Sequence, residues 1–304
     1  MATPCSPLRY PGGKQILARV LGHLIKVNGR EGGIYAEAYA GGAGAALSLL
    51  FAERVERLML NDADPSIYAF WEAVLRKTDG FLKLLRDTPV SVTEWQRQRN
   101  IYRHPSGYSP LRLGFATFYL NRCNRSGIIG NAGLIGGLEQ LGEWKIDARF
   151  NRDELARRVR RVALYGDRID LFNLDATDFL RNHMSKPNTA PKSFVYLDPP
   201  YFAKGSQLYL NFYCPDDHHN LARYLKEEAK FLWVMSYDDV PEIRALYRDF
   251  QQVAFYLGYS ARERRLGEEL LIFKRTVVFP DRWKSRIPRR YITAADGIRI
   301  PLAG

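Results

Sequence analysis

A chain of 304 residues, 46% hydrophobic and 13% aromatic, has enough apolar material for a sizeable core and fits one α/β domain carrying an insertion. No run approaches the roughly 18 apolar residues of a membrane span, Met1-Ala2-Thr3-Pro4 reads as no secretion signal, and three scattered cysteines argue against a disulfide framework or a metal site and for a reducing compartment. Forty-five Lys and Arg against 33 Asp and Glu, a net charge of +12, point to a polyanionic partner, most often nucleic acid.

In chain order, Ile34 to Ala40 is an apolar run that predicts a strand. It ends in Gly41-Gly42-Ala43-Gly44 and leads into a helical stretch, Ala45 to Ala52. Arg57 to Leu60 predicts a second strand, ending at Asn61-Asp62. Strand and helix alternating across a glycine turn predict a parallel sheet. Residues 76–165 have another texture, rich in Arg, Gln, Asn, Gly and aromatics, without buried-strand runs. Within them Asn151 to Tyr165 predicts an amphipathic helix, with Asn151 and Glu154 at capping-box spacing and Leu155, Val159 and Val162 on one face. Arg157 and Arg158 then point away from that face. Seven arginines fall between Arg149 and Arg168, and a second basic cluster comprises Arg282, Lys284, Arg286, Arg289 and Arg290. The bland reading of both is a solvated surface; a nucleic-acid contact is the reading we carry forward.

From residue 166 the α/β rhythm returns. Strands are predicted at Ile169 to Leu174, ending at Asp175, at Ser193 to Leu197, ending at Asp198, and at Phe231 to Ser236 and Glu269 to Lys274. A helix is predicted at Leu221 to Ala229. The expected organisation is one catalytic α/β domain, 1–75 with 166–304, interrupted by an inserted domain, 76–165.

Two features carry chemistry. Glycines after a strand let the backbone approach a bound ligand closely, with the next helix's amides facing it. Asp62 follows them by about twenty residues, where a carboxylate can accept from both hydroxyls of a ribose; its alternative role is to cap a helix ahead of Pro65. The second feature is Asp198-Pro199-Pro200-Tyr201 at the carboxyl end of a strand, the edge at which open α/β sheets bind ligands. Two prolines stiffen the backbone and leave carbonyl acceptors, Asp198 adds an acceptor carboxylate, and Tyr201 offers a flat stacking face. That set suits an aryl amine. Hydrogen bonds from both its N–H groups to Asp198 and the Pro199 carbonyl would free the nitrogen lone pair for in-line attack on a sulfonium methyl, which demands positioning more than a strong base.

These motifs, in this order, resemble the Dam-type (D12 class) DNA adenine-N6 methyltransferases over nearly the whole chain. Leu8-Arg9-Tyr10-Pro11-Gly12-Gly13-Lys14 is similar to the family's N-terminal motif, in which an aromatic and a lysine help hold the cofactor. Glu37-Ala38-Tyr39-Ala40-Gly41-Gly42 resembles its glycine-rich motif, Asn61-Asp62 its ribose-binding acid, and Asp175 the acid that reads the cofactor's adenine. Tyr119-Leu120-Asn121-Arg122 followed by Ser126-Gly127 is similar to the DNA-contacting segment, and Phe231 to Asp239 to the strand beside the catalytic one. Ala38 and Tyr10 stand where the family often has Pro and Trp.

The resemblance implies a Rossmann-like S-adenosylmethionine-dependent fold with an inserted, mainly helical DNA-recognition domain. It implies methyl transfer to the amino group of a flipped adenine at a specific DNA site. Asp198, Pro199, Pro200 and Tyr201 would be catalytic. Tyr10, Lys14, Glu37, Tyr39, Gly41, Gly42, Asp62 and Asp175 would hold S-adenosyl-L-methionine, and Asn121, Arg122, Arg125, Arg157 and Arg158 would meet double-stranded DNA. Residues 202–213, with Lys204, Gly205, Tyr209 and Tyr213, would form a loop closing over the flipped base, and their alternative is an ordinary surface loop. Asp217-His218 reads as a helix start rather than a catalytic dyad. A cytoplasmic, bacterial or phage-encoded monomer is expected, with a cognate restriction endonuclease as candidate partner. The rival functions are a methyltransferase of the same fold acting on RNA or a protein amide, and a non-catalytic DNA-binding homologue.

Overall fold

The computed structural model describes residues 4–9, 14–202, 213–258, 266–280 and 290–292. The strands are β1 (Ile34–Glu37), β2 (Arg57–Asn61), β3 (Ile169–Phe172), β4 (Ser193–Leu197), β5 (Leu232–Asp238), β6 (Gln251–Gly258), β7 (Leu266–Phe273) and β8 (Arg290–Ile292). The chain divides into two compact units. One takes in Met1–Thr3, Lys14–Ala63 and Leu174–Gly304; the other takes in Pro4–Gly13 and Asp64–Asn173.

In the first unit the sheet runs β2-β1-β4-β5-β7-β6-β8. β1 pairs in parallel with both β2 and β4, and β4 pairs in parallel with β5. β7 then inserts antiparallel between β5 and β6. β1 and β4 are adjacent in space but far apart in sequence, so the strand order switches direction between them. Beyond the carboxyl ends of such strands an α/β sheet opens its ligand crevice. The central strands are largely apolar because both faces are covered: all five residues of β4 are buried.

Helix α1 (Ala18–Val27) buries Val20, Leu21, Leu24 and Ile25. Helix α2 (Gly44–Phe51) is buried along most of its length. β1 stops three residues before the predicted Ala40, where the chain turns through Gly41 with φ of 45°, a left-handed conformation that glycine adopts at little cost. β5 runs two residues past Ser236, to Asp238. The helix expected at Leu221 begins at Pro215 instead and ends at Glu227. It starts early because Cys214 and Asp217 close a capping box around its first turn. β6 was not legible in the sequence; it forms by pairing with β7 from Gln251↔Phe273 to Gly258↔Leu266.

The second unit is mainly helical: α3 (Pro65–Arg76), α4 (Thr78–Asp87), α5 (Val92–Arg103), α6 (Pro110–Cys123) and α7 (Arg152–Ala163), with β3. Its core is aromatic. Phe70 stacks on Phe118 at 6.1 Å, and Phe81 meets Phe115 and Phe118 edge-on. Gly114 permits close approach of α6 to α3, since a Cβ there would lie 2.3 Å from the Ala69 carbonyl oxygen. Because α3 contributes Phe70 and Trp71 to this core, the unit begins at Asp64 rather than at the expected residue 76. It also gathers residues 4–13 from the N-terminus. Among the described residues, no helix is long and apolar enough to cross a membrane.

Candidate active site

At the end of β1, Gly41 and the turn into α2 bring the chain back against β2. The Gly41 amide donates to Asp62 Oδ2 at 2.8 Å, tying the glycine turn to the acid that ends the neighbouring strand. Ala43, which precedes α2, also has positive φ, 46°, a conformation that costs a residue with a side chain about 1–2 kcal/mol. Asp62 is not the cap of α3. Asp64 performs that job, accepting from the Ser66 amide at 2.8 Å. Asn61, fully buried, donates to the carbonyls of Ala38 and Leu174 and accepts from the Leu174 amide. It thereby draws the start of the 174–176 turn beside β2. Asp175, next in the chain, caps α8 (Ala176–Phe179) by accepting from the Thr177 amide at 2.8 Å.

Two of the expected cofactor residues take supporting positions. Glu37 is buried beneath the glycine turn, where it accepts from the Tyr35 hydroxyl and from the Ala46 amide in the first turn of α2. Burial pushes its carboxyl up to about 8, so it is largely protonated at neutral pH. Tyr39 shares a hydrogen bond with the hydroxyl of Tyr213, their rings edge-to-face at 6.0 Å. Tyr10, Lys204, Gly205 and Tyr209 lie outside the described residues, as do Arg282, Lys284, Arg286 and Arg289.

The tetrapeptide follows β4. The register that pairs Leu197 with Met235 sets Asp198 beside Ser236 of β5, and the Ser236 hydroxyl donates to Asp198 Oδ1 at 2.9 Å. The Tyr196 hydroxyl meets the same serine at 2.7 Å. Two residues on, Asp238 accepts from the Phe202 amide at 2.9 Å and fixes the backbone immediately after the tetrapeptide. Tyr237 between them hydrogen-bonds His218 Nδ1. Burial holds that imidazole below its usual range, so His218 is a neutral structural partner, consistent with reading Asp217-His218 as a helix start.

The lysine is buried beside the tetrapeptide. Lys14, 7% exposed, sits 3.4 Å from Asp198 Oδ1 and 3.1 Å from both carboxylate oxygens of Glu269. It also hydrogen-bonds the Tyr201 hydroxyl, which in turn donates to Glu269 Oε1 at 2.7 Å. Burial opposes the ammonium charge, but Asp198 and Glu269 outweigh it and hold Lys14 above its ordinary value. Burial pushes Asp198 up to about 6, with Lys14 pulling down, Glu269 pushing up and the Ser236 hydrogen bond pulling down. Lys14 therefore keeps company with the tetrapeptide itself. Glu269 was missed in the sequence because it opens an apolar run, Glu269-Leu270-Leu271, where a strand-end acid signals nothing by itself. Its place comes from the antiparallel register that sets it opposite Asp238.

The second unit gives a different picture of the expected DNA contacts. Asn121 and Arg122 are buried, at 0% and 5% exposure. Asn121 accepts from the Arg9 amide at 2.7 Å and donates to the carbonyls of Arg9 and Gly127. Arg122 Nε donates to the Pro7 carbonyl at 2.8 Å, and burial, with Arg158 and Arg9 nearby, pulls its guanidinium below the usual range. Arg158 is half turned in, bonded to Glu154 at 2.9 Å and to the Ser6 carbonyl at 3.3 Å. In this structure these three side chains thus bind the unit's own segment 4–9. Their residue types suit buried main-chain carbonyls as well as they suit a nucleic acid, which is why the motif alone could not separate the roles. Arg125 and Arg157 are exposed.

A parallel sheet whose switch point joins a glycine turn to an Asp-Pro-Pro-Tyr tetrapeptide is a Rossmann-like methyltransferase architecture. The chain belongs to the D12 class N6 adenine-specific DNA methyltransferase family, whose model matches residues 10–256. Among curated proteins, no sequence matches it. Similar solved structures include the rRNA methyltransferase aviRa from Streptomyces viridochromogenes, at 13% identity and TM-score 0.34, covering 84% of each chain. Another is a precorrin 8w decarboxylase from Methanobacterium thermoautotrophicum, at 12% identity and TM-score 0.31, covering 84% of this chain and 89% of that one. Likenesses this low bear on neither substrate nor mechanism.

Proposed function

We propose that this methyltransferase moves a methyl group from S-adenosyl-L-methionine to the exocyclic amino group of an adenine flipped out of double-stranded DNA, at a specific site. The observation that carries the reading is the one-sided anchoring of Asp198. Among the described residues, its hydrogen bond from Ser236 falls on Oδ1, and Lys14 comes within 3.4 Å of the same oxygen. Oδ2 would then accept one amino hydrogen while the Pro199 carbonyl accepts the other. A planar aryl amine so held loses conjugation with its ring and gains nucleophilicity. Tyr201, its hydroxyl fixed by Lys14 and Glu269, offers a ring face against which a base extruded from the duplex could stack and recover part of its unstacking cost.

Of the expected cofactor residues, Asp62 and Asp175 support the reading. The Gly41 amide pre-orients Asp62 at the end of β2, where its carboxylate would accept from ribose hydroxyls, and Asp175, exposed at the start of α8, would accept from an adenine amino group. S-adenosyl-L-methionine, when bound, supplies a sulfonium methyl that needs no further activation. The protein's contribution is alignment of the amine with it.

The test is transfer of labelled methyl to duplex DNA, to RNA and to protein, with the methylated nucleoside identified by mass spectrometry. N6-methyladenine in DNA is expected. Asp198→Ala should lower the transfer rate by about 10² or more while binding S-adenosyl-L-methionine almost as before by calorimetry. A variant that methylates at the parent rate would remove Asp198 from the mechanism, and a product found only in RNA or protein would reassign the substrate.

A further inference from the structure

Glu269 belongs to none of the motifs that carry the family resemblance, yet it is 1% exposed and forms the floor beneath the tetrapeptide. Its two oxygens span Lys14, and one of them also accepts from Tyr201. Lys14 in turn reaches Asp198. One buried cation is therefore shared by two carboxylates and a phenol, Glu269 on its buried side and Asp198, whose side chain is 24% exposed, on the open side.

We propose that Glu269 is a positioning residue for methyl transfer: it divides the Lys14 ammonium between itself and Asp198 and pins the Tyr201 ring through the hydroxyl. Three consequences follow from the geometry. Lys14 comes within 3.4 Å of Oδ1, the oxygen that also accepts from Ser236, so the other oxygen of Asp198 would serve the amine. The Tyr201 ring cannot swing about its Cα–Cβ bond without breaking two hydrogen bonds. And Lys14 satisfies Asp198 only in part, leaving it a better acceptor than a fully paired carboxylate. A buried Lys–Asp pair without Glu269 would be a closed ion pair with little acceptor strength to spare for a neutral amine.

The groups facing Asp198 from the surrounding elements are Lys14, Glu37 and Tyr35 on β1, Tyr196 on its own strand, Ser236 and Tyr237 on β5, Tyr201, and Glu269 on β7. Lys14 and Glu269 act on Asp198 with opposite sign, which gives a readout that a merely structural role would not move. The inference rests on the reading that Asp198 accepts the substrate amine, but its decisive measurement needs no substrate. In protein labelled with carboxyl-13C aspartate, the Asp198 signal, assigned by its loss in Asp198→Asn, is titrated by NMR. With the fold verified by circular dichroism, Glu269→Gln should lower the midpoint by about one pH unit. Lys14→Gln should raise it, and Glu269→Asp should restore it towards the parent value. An unmoved midpoint in folded Glu269→Gln overturns the proposal. If that variant does not fold, an unmoved midpoint in Lys14→Gln does the same.

Single-turnover methylation of an adenine-containing duplex should follow. The acid limb of the rate profile moves to lower pH in Glu269→Gln, and the maximal rate falls at least tenfold with the KM for S-adenosyl-L-methionine unchanged. A parent protein that transfers no methyl group would overturn the proposed function while the NMR midpoint still decides the role of Glu269. Transfer by the parent with an unmoved midpoint would overturn only the latter.

Discussion

Asp62 and Asp64 stand two residues apart, and either could end a strand or start a helix. Asp64 caps α3, while Asp62 is tied to the Gly41 amide, because the helix begins at Pro65 and a cap lies immediately before the first helical residue. Glu37 shows the same dependence on surroundings. Its sequence context suggests a cofactor ligand, but the side chain lies under the turn and is pushed up to about 8 by burial. An unfolded glutamate titrates near 4.3. Between those values the folded protein keeps a proton that the unfolded chain has released, so stability is greatest at the acid end of the window and declines as pH rises towards about 8. Asp198, pushed up to about 6, adds a decline of the same sign over a narrower range. Glu37→Gln removes the ionisation while keeping the acceptor for Tyr35 and Ala46. Its melting temperature relative to the parent should therefore climb between pH 5 and pH 8. A difference that stays constant across that range would show that Glu37 does not titrate in it.

At the level of elements, α7 sorts its arginines by face. Leu155, Val159 and Val162 are buried and the Asn151 side chain caps the first turn, as the periodicity predicts. The paired arginines do not act as pairs: Arg158 turns inward to Ser6, whereas Arg157, Arg160 and Arg161 are exposed. The 2.6 Å ion pair between Arg157 and Glu154 is no obstacle to binding a phosphate, since exposed pairs of this kind contribute about 1 kcal/mol or less. We expect Arg157→Ala with Arg160→Ala to weaken DNA binding and to flatten the dependence of log K on log salt by about one for each phosphate no longer neutralised. Fluorescence anisotropy across a salt series measures it, and an unaltered slope would return this face to ordinary solvated surface.

For the whole molecule, the proposed function would have the net charge of +12 hold a polyanion. The proposed chemistry requires a cofactor that binds the folded chain and not the unfolded one. S-adenosyl-L-methionine at about 100 times its dissociation constant should then stabilise the protein by roughly 2.7 kcal/mol, seen as a rise in melting temperature. Asp62→Ala should lose most of that rise without lowering the melting temperature of the cofactor-free protein by a comparable amount. A variant that keeps the full rise would separate Asp62 from cofactor binding.

Local sequence was enough for the elements whose cause is local. The glycine turn after β1, the largely apolar β4 and the Asn151 cap depend on backbone freedom, burial periodicity and hydrogen bonds a few residues apart, so each could be read from its own stretch of chain. The motif order was likewise enough for the family. What the tertiary structure decided were the partners separated by hundreds of positions. Lys14 meets Glu269 across 255 residues, and Asn121 meets Arg9 across 112. A buried charge or amide must find its partner wherever the fold brings one, because an unpaired polar group away from water costs more than any local preference supplies. That is why the Asp198 tetrapeptide could be picked out in the sequence, while the groups packed around it, and the burial of Asn121 and Arg122, emerged only once the sheet register and the packing of α6 had placed them.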